Sequence, residues 1–242
     1  MSKMRLDRFI SNQTQASRSK AAALIKSGKV SIDGVIVKQP SFSFSPENSK
    51  VMSDGIEIEY KKYVYLMLYK PKGVLSASND KQRRTVMDLI PEDLRRPGMA
   101  PVGRLDKDTT GLLLITDDGD FAHNCISPKK MIPKKYKVTL DGEVTPDGEE
   151  LLRFGVTLAD GTKCLPAEIE KLTENTVYIT IYEGKYHQIK RMFGVLGLGV
   201  NELHRESVGL LKLPKNMSAG EVIELNFDEL LKKVINYKQN II

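Results

Sequence analysis

The chain has 242 residues, is 40% hydrophobic and 28% charged, and carries a formal net charge of +6. This length suits one large domain or two small ones, and the composition is that of a folded soluble protein, not a disordered one. No apolar run reaches the length of a membrane span, and residues 1–13 lack the apolar segment of a signal peptide. Neither a membrane anchor nor a secretory leader is therefore expected.

The cysteines and the distribution of charge indicate where the protein is located and what it contacts. Cys125 and Cys164 are isolated, which gives neither a metal-binding spacing nor a disulfide framework and predicts a reducing, cytoplasmic location. Residues 1–62 hold eleven Lys and Arg against six Asp and Glu, whereas the rest of the chain holds 26 against 25. The basic excess lies in the first quarter of the chain, as expected for a region that contacts nucleic acid.

The first sixty residues predict two helices followed by a hairpin. Leu6, Phe9 and Ile10 have helical spacing, and a second helix is expected to begin at Ser17 or Ser19 and to end at Gly28. The pair Asp33-Gly34 separates two β-branched runs, which is a strong signal for a two-residue hairpin turn. The predicted strands of this hairpin are Val30–Ile32 and Val35–Val37.

This order of elements resembles that of the S4 domain, a small RNA-binding module. The same resemblance is found in the sequence RLDRFISNQTQASRSKAAALIKSGKVSIDG. The resemblance covers roughly residues 4–58 and implies a domain over residues 1–60, with a linker near Tyr60–Tyr63. It implies RNA contacts through Arg5, Arg18, Lys20 and Lys29. Judged by charge alone, these side chains are equally compatible with a solvated helix face.

Downstream, one carboxylate is placed in a defined loop. Asp106 lies between Gly103 and Gly111, directly before the apolar run Leu112–Ile115, which reads as a buried strand. A polar loop that glycines shape and a strand supports can hold such a group in a fixed position. An earlier strand, Val64–Leu68, runs into a turn at Lys70-Pro71-Lys72-Gly73, for which we expect a supporting role and no chemical one.

Two further segments carry candidate site residues. Lys135–Leu140 alternates as a strand does and contains Tyr136, which by pattern alone is a core residue. Later, a helical apolar stripe is formed by Ile189, Met192, Phe193 and Leu196, with His187, Lys190 and Arg191 on the neighbouring stripe. Such a basic stripe beside a core stripe can direct cations towards a site.

The segments YKPKGVLSA, GRLDKDTTGLLLITDDG and EGKYHQIKRMF resemble, in order, motifs I, II and III of the pseudouridine synthases. The resemblance is specifically to the branch that includes the enzyme of small-subunit ribosomal RNA. The resemblance implies that Asp106 is catalytic, that Tyr136 stacks on the target uracil, and that Lys190, where many relatives have arginine, pairs with Asp106. It also implies RNA contacts for Arg104, His187 and Arg191, although bracing of the loop by Arg104 and helix packing by His187 remain open.

The implied fold is α+β: the S4 domain is followed by a catalytic domain over residues 61–242, with a mostly antiparallel sheet flanked by helices. The implied reaction is isomerisation of uridine to pseudouridine in ribosomal RNA, most closely uridine 516 of 16S RNA. It needs no cofactor and no metal. The expected partner is small-subunit ribosomal RNA or an assembly intermediate, and a monomer is expected.

Other functions are compatible with parts of the pattern. A target in 23S RNA, a non-catalytic RNA-binding factor of ribosome assembly, and a carboxylate-dependent nucleosidase each fit some of the residues. Asp106 and Asp108 lack the third ligand of a metal site and the separate placement of glycosidase carboxylates. Asp117–Asp120 lacks the ligand spacing of a calcium loop, so we predict a strand-to-helix turn with Asp120 near the helix N-cap.

Overall fold

The computed structural model describes residues 3–14 and 16–237. The backbone divides into two compact units. The first comprises Met1–Val64 together with Ile90–Met99, and the second comprises Tyr65–Leu89 together with Ala100–Ile242. The predicted linker begins inside the first unit, where the backbone N–H and carbonyl groups of Lys61 both form hydrogen bonds with the side-chain amide of Gln13.

The first unit contains two helices and small antiparallel sheets. The helices are α1, Leu6–Gln13, and α2, Arg18–Lys26. The strands are β1 Met4–Arg5, β2 Val30–Ile32, β3 Val35–Ile36, β4 Ser43–Phe44, β5 Val51–Ser53 and β6 Ile56–Ile58. Strand β1 pairs with β4, and the other four pair in the order β3-β2-β5-β6. Short 3-10 turns cover Pro46–Asn48 and Glu92–Leu94.

The local signals in this unit are confirmed. The hydroxyl of Ser17 accepts a hydrogen bond from the backbone N–H of Lys20 and caps α2, because the first N–H groups of a helix lack partners within it. Asp33 and Gly34 have φ values of 50° and 83°, the left-handed conformations that a tight hairpin turn requires. The second hairpin strand ends at Ile36, one residue earlier than predicted.

The second unit is built on a large sheet with helices. Its strands are β7 Tyr65–Lys70, β8 Ala100–Pro101, β9 Thr110–Thr116, β10 Lys134–Leu140, β11 Glu168–Lys171, β12 Thr176–Ile181, β13 Val200–Val208, β14 Leu211–Lys212 and β15 Val222–Glu224. Its helices are α3 Gly119–Ile126, α4 Pro146–Phe154, α5 Gln188–Val195 and α6 Phe227–Leu230, with 3-10 turns at Val86–Leu89 and Pro128–Lys130. A π-helical segment, Leu231–Ile235, follows α6.

Across the described residues this sheet has nine strands, with the main order β11-β12-β10-β13-β9-β7-β15. The pairing of β9 with β13 is parallel, and the other pairings are antiparallel, which confirms the predicted fold class. At the parallel junction, Gly111 has a φ of 106°, and a Cβ there would overlap the carbonyl oxygen of Arg205. Only glycine permits so close an approach of the two backbones.

One prediction is confirmed and another needs correction. The strand-to-helix turn with Asp120 near the N-cap is present: helix α3 is capped by Asp118, whose carboxylate accepts from the N–H of Phe121, and Asp120 lies in its first turn. The sequence also predicts strands at Val156–Leu158 and Cys164–Ile169, between turns such as Asp160-Gly161. These strands are largely absent: they reduce to one bridge between Thr157 and Lys163, and regular strand begins only at Glu168. Pro166 has no N–H to donate, so the ladder cannot continue through it.

The pair Thr145-Pro146 and the later Gly155 predict a helix between them. Helix α4 confirms this, with Thr145 as N-cap and Gly155 directly after its end. No helix within residues 3–14 and 16–237 combines the length and the apolar character that crossing a bilayer requires.

Candidate active site

Asp106 lies in the loop between β8 and β9, and the backbone around it is held from several sides. The hydroxyl of Ser76 donates to the carbonyl oxygen of Leu105 at 2.9 Å and accepts from its N–H at 3.1 Å. The N–H of Thr109 closes the loop on the carbonyl oxygen of Asp106 at 3.1 Å. The N–H of Gly73 donates to the carbonyl oxygen of Lys107 at 2.7 Å. The Asp106 carboxylate therefore has a defined position.

Lys70 supports the same loop from below. Its side chain is fully buried, and Nζ donates to the carbonyl oxygens of Pro71 at 3.0 Å, Lys107 at 3.2 Å and Thr109 at 2.9 Å. Burial lowers the pKa of Lys70 to about 8, and the charges of Asp108 and Asp106 act in the opposite direction. An ammonium in this place satisfies inward-facing carbonyls that water cannot reach. The turn at Lys70 thus has the supporting role that was expected.

Helix α5 presents two nitrogen groups to Asp106. His187 precedes the helix with a φ of 47° and stacks on Tyr186 at a centroid distance of 3.9 Å. Its Nε2 lies 3.5 Å from Oδ1 of Asp106, and Nζ of Lys190 lies 3.8 Å from Oδ2. The side chain of Asp106 is one quarter exposed, so it is screened from water on most sides.

Lys190 has a second and closer partner. Its Nζ lies 2.5 Å from Oδ2 of Asp108, against 3.8 Å for Asp106. This hydrogen bond is the main reason that the pKa of the Asp108 carboxyl is below its ordinary value. The pairing of Lys190 with Asp106 that the family resemblance implied is therefore present as the longer of two contacts.

The loop and helix α5 enclose a cavity of about 70 Å³. Tyr136, which is buried, forms part of its wall. The hydroxyl of Thr109, also on this wall, is buried and has no hydrogen-bond partner among the described residues. The complete lining is Arg104, Leu105, Asp106, Thr109, Tyr136, Ile181, Gly184, Lys185, His187, Gln188, Ile189 and Leu203. The cavity offers one carboxylate, one aromatic phenol ring and several apolar side chains to a planar ligand.

The predicted site residues are therefore only partly brought together. The cavity wall includes Asp106, Tyr136, His187 and the exposed Arg104, and Lys190 contacts Asp106 without forming part of that wall. Arg191 points elsewhere: its guanidinium pairs with Asp160 at 2.5 Å and donates to the carbonyl oxygen of Tyr186 at 3.3 Å.

The cations predicted in the first unit are on its surface. Arg18 and Lys20 are exposed on α2. Arg5 pairs with Asp7 at 2.7 Å, and Lys29 pairs with Asp54 at 3.0 Å.

Sequence reasoning missed one buried cation. Arg205 is 4% exposed, donates from Nε to the carbonyl oxygen of Leu112 at 2.7 Å, and lies with its Nη1 3.5 Å from the hydroxyl of Tyr136. The signal that could have revealed it was alternation along β13, because Arg205 shares the inward face with Leu203.

Comparison with known proteins agrees with this geometry. Residues 64–194 match the RNA pseudouridylate synthase family, and residues 4–48 match the S4 domain. An uncharacterized RNA pseudouridine synthase of Bacillus subtilis is 41% identical, covering 94% of this chain and 97% of that protein. Ribosomal small subunit pseudouridine synthase A of Vibrio cholerae is 40% identical, covering 94% and 98%.

A crystal structure of a pseudouridylate synthase aligns with a TM-score of 0.67 at 35% identity and covers 96% of this chain and 100% of that one. With the sequence match spanning more than half of the residues and the relatives aligned along almost their full length, this chain belongs to the RNA pseudouridylate synthase family and is an RNA-modifying isomerase.

Proposed function

We propose that this protein converts a uridine of small-subunit ribosomal RNA, at the site numbered 516 in 16S RNA, to pseudouridine, with Asp106 as the catalytic residue. The observation that carries the proposal is the Asp106 carboxylate on the wall of a cavity shared with Tyr136, within 4 Å of nitrogens of His187 and Lys190. The choice of small-subunit RNA follows the names of relatives that are about 40% identical.

The reaction breaks the N1–C1′ bond of uridine, turns the uracil and joins C5 to C1′, while the hydrogen of C5 leaves as a proton. Nothing is oxidised or reduced, so no external electron acceptor enters the balance. One ionised carboxylate beside the sugar suffices, either as the nucleophile at C1′ or as the base that removes a proton from C2′. The ammonium of Lys190 lies next to that carboxylate, 3.8 Å from Oδ2 of Asp106.

Other residues of the cavity prepare the substrate. A uridine in structured RNA has to leave its stack to reach Asp106. Tyr136 then supplies a ring for the uracil, and base–aromatic stacking contributes roughly 1–3 kcal/mol per base. Arg104 at the rim holds the extruded geometry, by filling the vacated space or by gripping a phosphate.

Further basic side chains in both domains position the RNA. We assign Arg5, Arg18, Lys20 and Lys29 of the 1–60 domain, and His187 and Arg191 of the 61–242 catalytic domain, to contacts with the RNA. Phosphate contacts of this kind fix register and affinity and carry no sequence information directly. The proposed working form is a monomer.

Tritium release tests the proposal. Small-subunit ribosomal RNA labelled with tritium at C5 of uridine would be incubated with the full chain, with Asp106→Asn and with Asp120→Asn. Asp120 is an exposed aspartate on α3 outside the cavity, so the last variant is a matched control. We expect release by the wild type and by Asp120→Asn, and none by Asp106→Asn despite retained RNA binding.

Each alternative has its own outcome. Release from 23S RNA alone would move the target to the large subunit. Free uracil in place of pseudouridine would indicate a nucleosidase. Tight binding of ribosomal RNA without release from RNA or from an assembly intermediate would favour the non-catalytic assembly factor. Substantial turnover by Asp106→Asn would remove that residue from its catalytic role.

A further inference from the structure

A second cavity, of about 100 Å³, adjoins the first and shares Arg104, Tyr136 and Gly184 with it. Its remaining lining is Val102, Gly103, Leu114, Cys125, Ile126, Lys134, Arg205 and Val208. Side chains alternate along strands, so Lys134 and Tyr136 lie on one face of β10, and Leu203 and Arg205 lie on one face of β13. The two cavities are thus neighbouring parts of one sheet face.

The second cavity concentrates positive charge. Arg205 is 4% exposed, and its side chain contacts the carbonyl oxygen of Leu112 and the hydroxyl of Tyr136. Nζ of Lys134 donates to the carbonyl oxygen of Ile132 at 3.0 Å. The acceptors are neutral oxygens, and the described residues that line the cavity include no carboxylate. This wall therefore carries three cationic side chains, those of Arg104, Lys134 and Arg205, and no carboxylate among its described lining residues to balance them.

The thiol of Cys125 does not supply a negative charge to this wall. Burial raises the pKa of the Cys125 thiol to about 12, so the sulfur is protonated at neutral pH. Burial, and secondly the charge of Arg205, lower the pKa of Lys134 to about 8, which leaves most of the ammonium charged at pH 7. Removing charge from water without a counter-ion is unfavourable, and a bound anion would offset that cost.

We propose that this second cavity, the anion cavity, binds a phosphate group of the RNA next to the target uridine. The proposal rests on the proposed function, because it takes the nucleoside of that RNA to occupy the neighbouring cavity. Nucleosides within RNA are flanked by phosphates, and the anion cavity adjoins the first cavity at Arg104 and Tyr136. An uncharged base would fill the space without balancing Lys134 and Arg205, so the charge favours phosphate.

Mononucleotide binding tests the anion cavity directly. Uridine, uridine 3′-monophosphate and uridine 5′-monophosphate would be titrated by calorimetry into the full wild-type chain, Lys134→Met and Lys137→Met. Lys137 is exposed on the opposite face of β10, so its replacement removes the same charge without touching the cavity. Methionine keeps most of the apolar stem, so the packing around position 134 is retained.

In the wild type and in Lys137→Met, we expect one monophosphate to bind at least about tenfold more tightly than uridine, as one charge-assisted contact provides. In Lys134→Met this advantage should fall to about threefold or less, while uridine itself binds unchanged. An advantage that survives in Lys134→Met, or that falls equally in Lys137→Met, would overturn the proposal.

A measurement on the wild type alone covers the case in which Lys134→Met fails to fold. The second ionisation of a phosphate monoester has a pKa of about 6 and is visible by phosphorus NMR. The charges of Lys134 and Arg205 should lower that pKa in the bound monophosphate, and an unchanged value would contradict the anion cavity. If the wild type releases tritium but binds neither monophosphate more tightly than uridine, the anion cavity alone is overturned. If a monophosphate binds more tightly than uridine but no tritium is released, the enzymatic proposal alone is overturned.

Discussion

Nζ of Lys190 donates a 2.5 Å hydrogen bond to the carboxylate of Asp108, in the same loop as Asp106. The longer contact, 3.8 Å, runs to Asp106 itself. One ammonium thus serves two carboxylates, and Asp108 holds it beside the proposed catalytic group. A lysine can do this only as a point charge, because it lacks the planar fork with which an arginine grips a carboxylate.

The first prediction concerns position 190. Lys190→Met should lower the single-turnover rate by roughly 10²-fold, because one oriented donor beside reacting charge contributes about that much. Lys190→Arg should stay within about tenfold of the wild type, since a guanidinium keeps the charge and can reach both carboxylates. Rates at saturating RNA would show this, and a wild-type rate for Lys190→Met would exclude an electrostatic role.

The second prediction concerns the buried support of the loop. Lys70→Met leaves the carbonyl oxygens of Pro71, Lys107 and Thr109 without their shared donor. We expect a decrease of about 2–3 kcal/mol in the free energy of unfolding, the usual cost of unsatisfied buried polar groups, and reduced activity. Denaturant titration measures the decrease. Lys72→Met, an exposed neighbour, is the control and should be near neutral.

The third prediction is a pH dependence. The pKa of Lys70 is about 8 in the folded protein, below its ordinary value near 10.4. Between these values the unfolded chain binds a proton that the folded chain does not, so stability rises with pH, by up to about 1.4 kcal/mol per unit. We expect this rise between pH 8 and 9, before the raised pKa of Cys125 acts in the opposite sense.

Unfolding curves of the wild type and Lys70→Met over that range would isolate the contribution of Lys70. The slope should be smaller in the variant. Parallel curves would show that Lys70 does not titrate there. Lys134, whose pKa is also about 8, contributes with the same sign in both proteins and so cancels from the comparison.

The fourth prediction separates steric overlap from backbone strain. Gly111→Ala places a methyl group on the carbonyl oxygen of Arg205 and also forces alanine to a φ of 106°. Gly161→Ala, at a φ of 82° with open space around it, carries only the strain. We expect a destabilisation of about 1–2 kcal/mol for Gly161→Ala and a clearly larger one for Gly111→Ala. Similar effects on thermal unfolding would mean that the β9–β13 junction can adjust.

The fifth prediction addresses the S4 domain. Replacing Arg18 and Lys20 by glutamine should weaken binding of ribosomal RNA and lower the dependence of log K on log salt by about one for each phosphate that these side chains neutralise. Lys171→Gln is the control, because Lys171 is already paired with Glu143 and Glu149 in the other unit. An unchanged salt slope in the double variant would show that neither residue binds the RNA backbone.

Local chemistry could be predicted from the sequence where one short segment determines it. Ser17, Thr145 and the Asp33-Gly34 turn act within a few residues of themselves, and the structure places each as expected. The start of α3 could be predicted less exactly, because Asp118 and Asp120 offer nearly equivalent starts to one helix and the structure uses Asp118 as the cap.

Long-range placement could not be predicted in the same way. The burial of Lys70 and Arg205 contradicts the ordinary preference of charged side chains, and it depends on carbonyl oxygens that other segments contribute. Nζ of Lys190 lies 3.8 Å from the carboxylate of Asp106 but only 2.5 Å from that of Asp108. No spacing in the sequence encodes such a difference.

The parallel junction of β9 with β13 also bears on how activity is acquired. Asp106 precedes β9, Tyr136 lies on β10, and Lys190 lies on α5, so each comes from a distant stretch of chain. A folding intermediate in which these segments have not yet assembled would have the carboxylate but neither its cavity nor its neighbours. Recovery of catalysis during refolding therefore reports completion of the central sheet. We expect it to be slower than recovery of the circular dichroism signal of the helices.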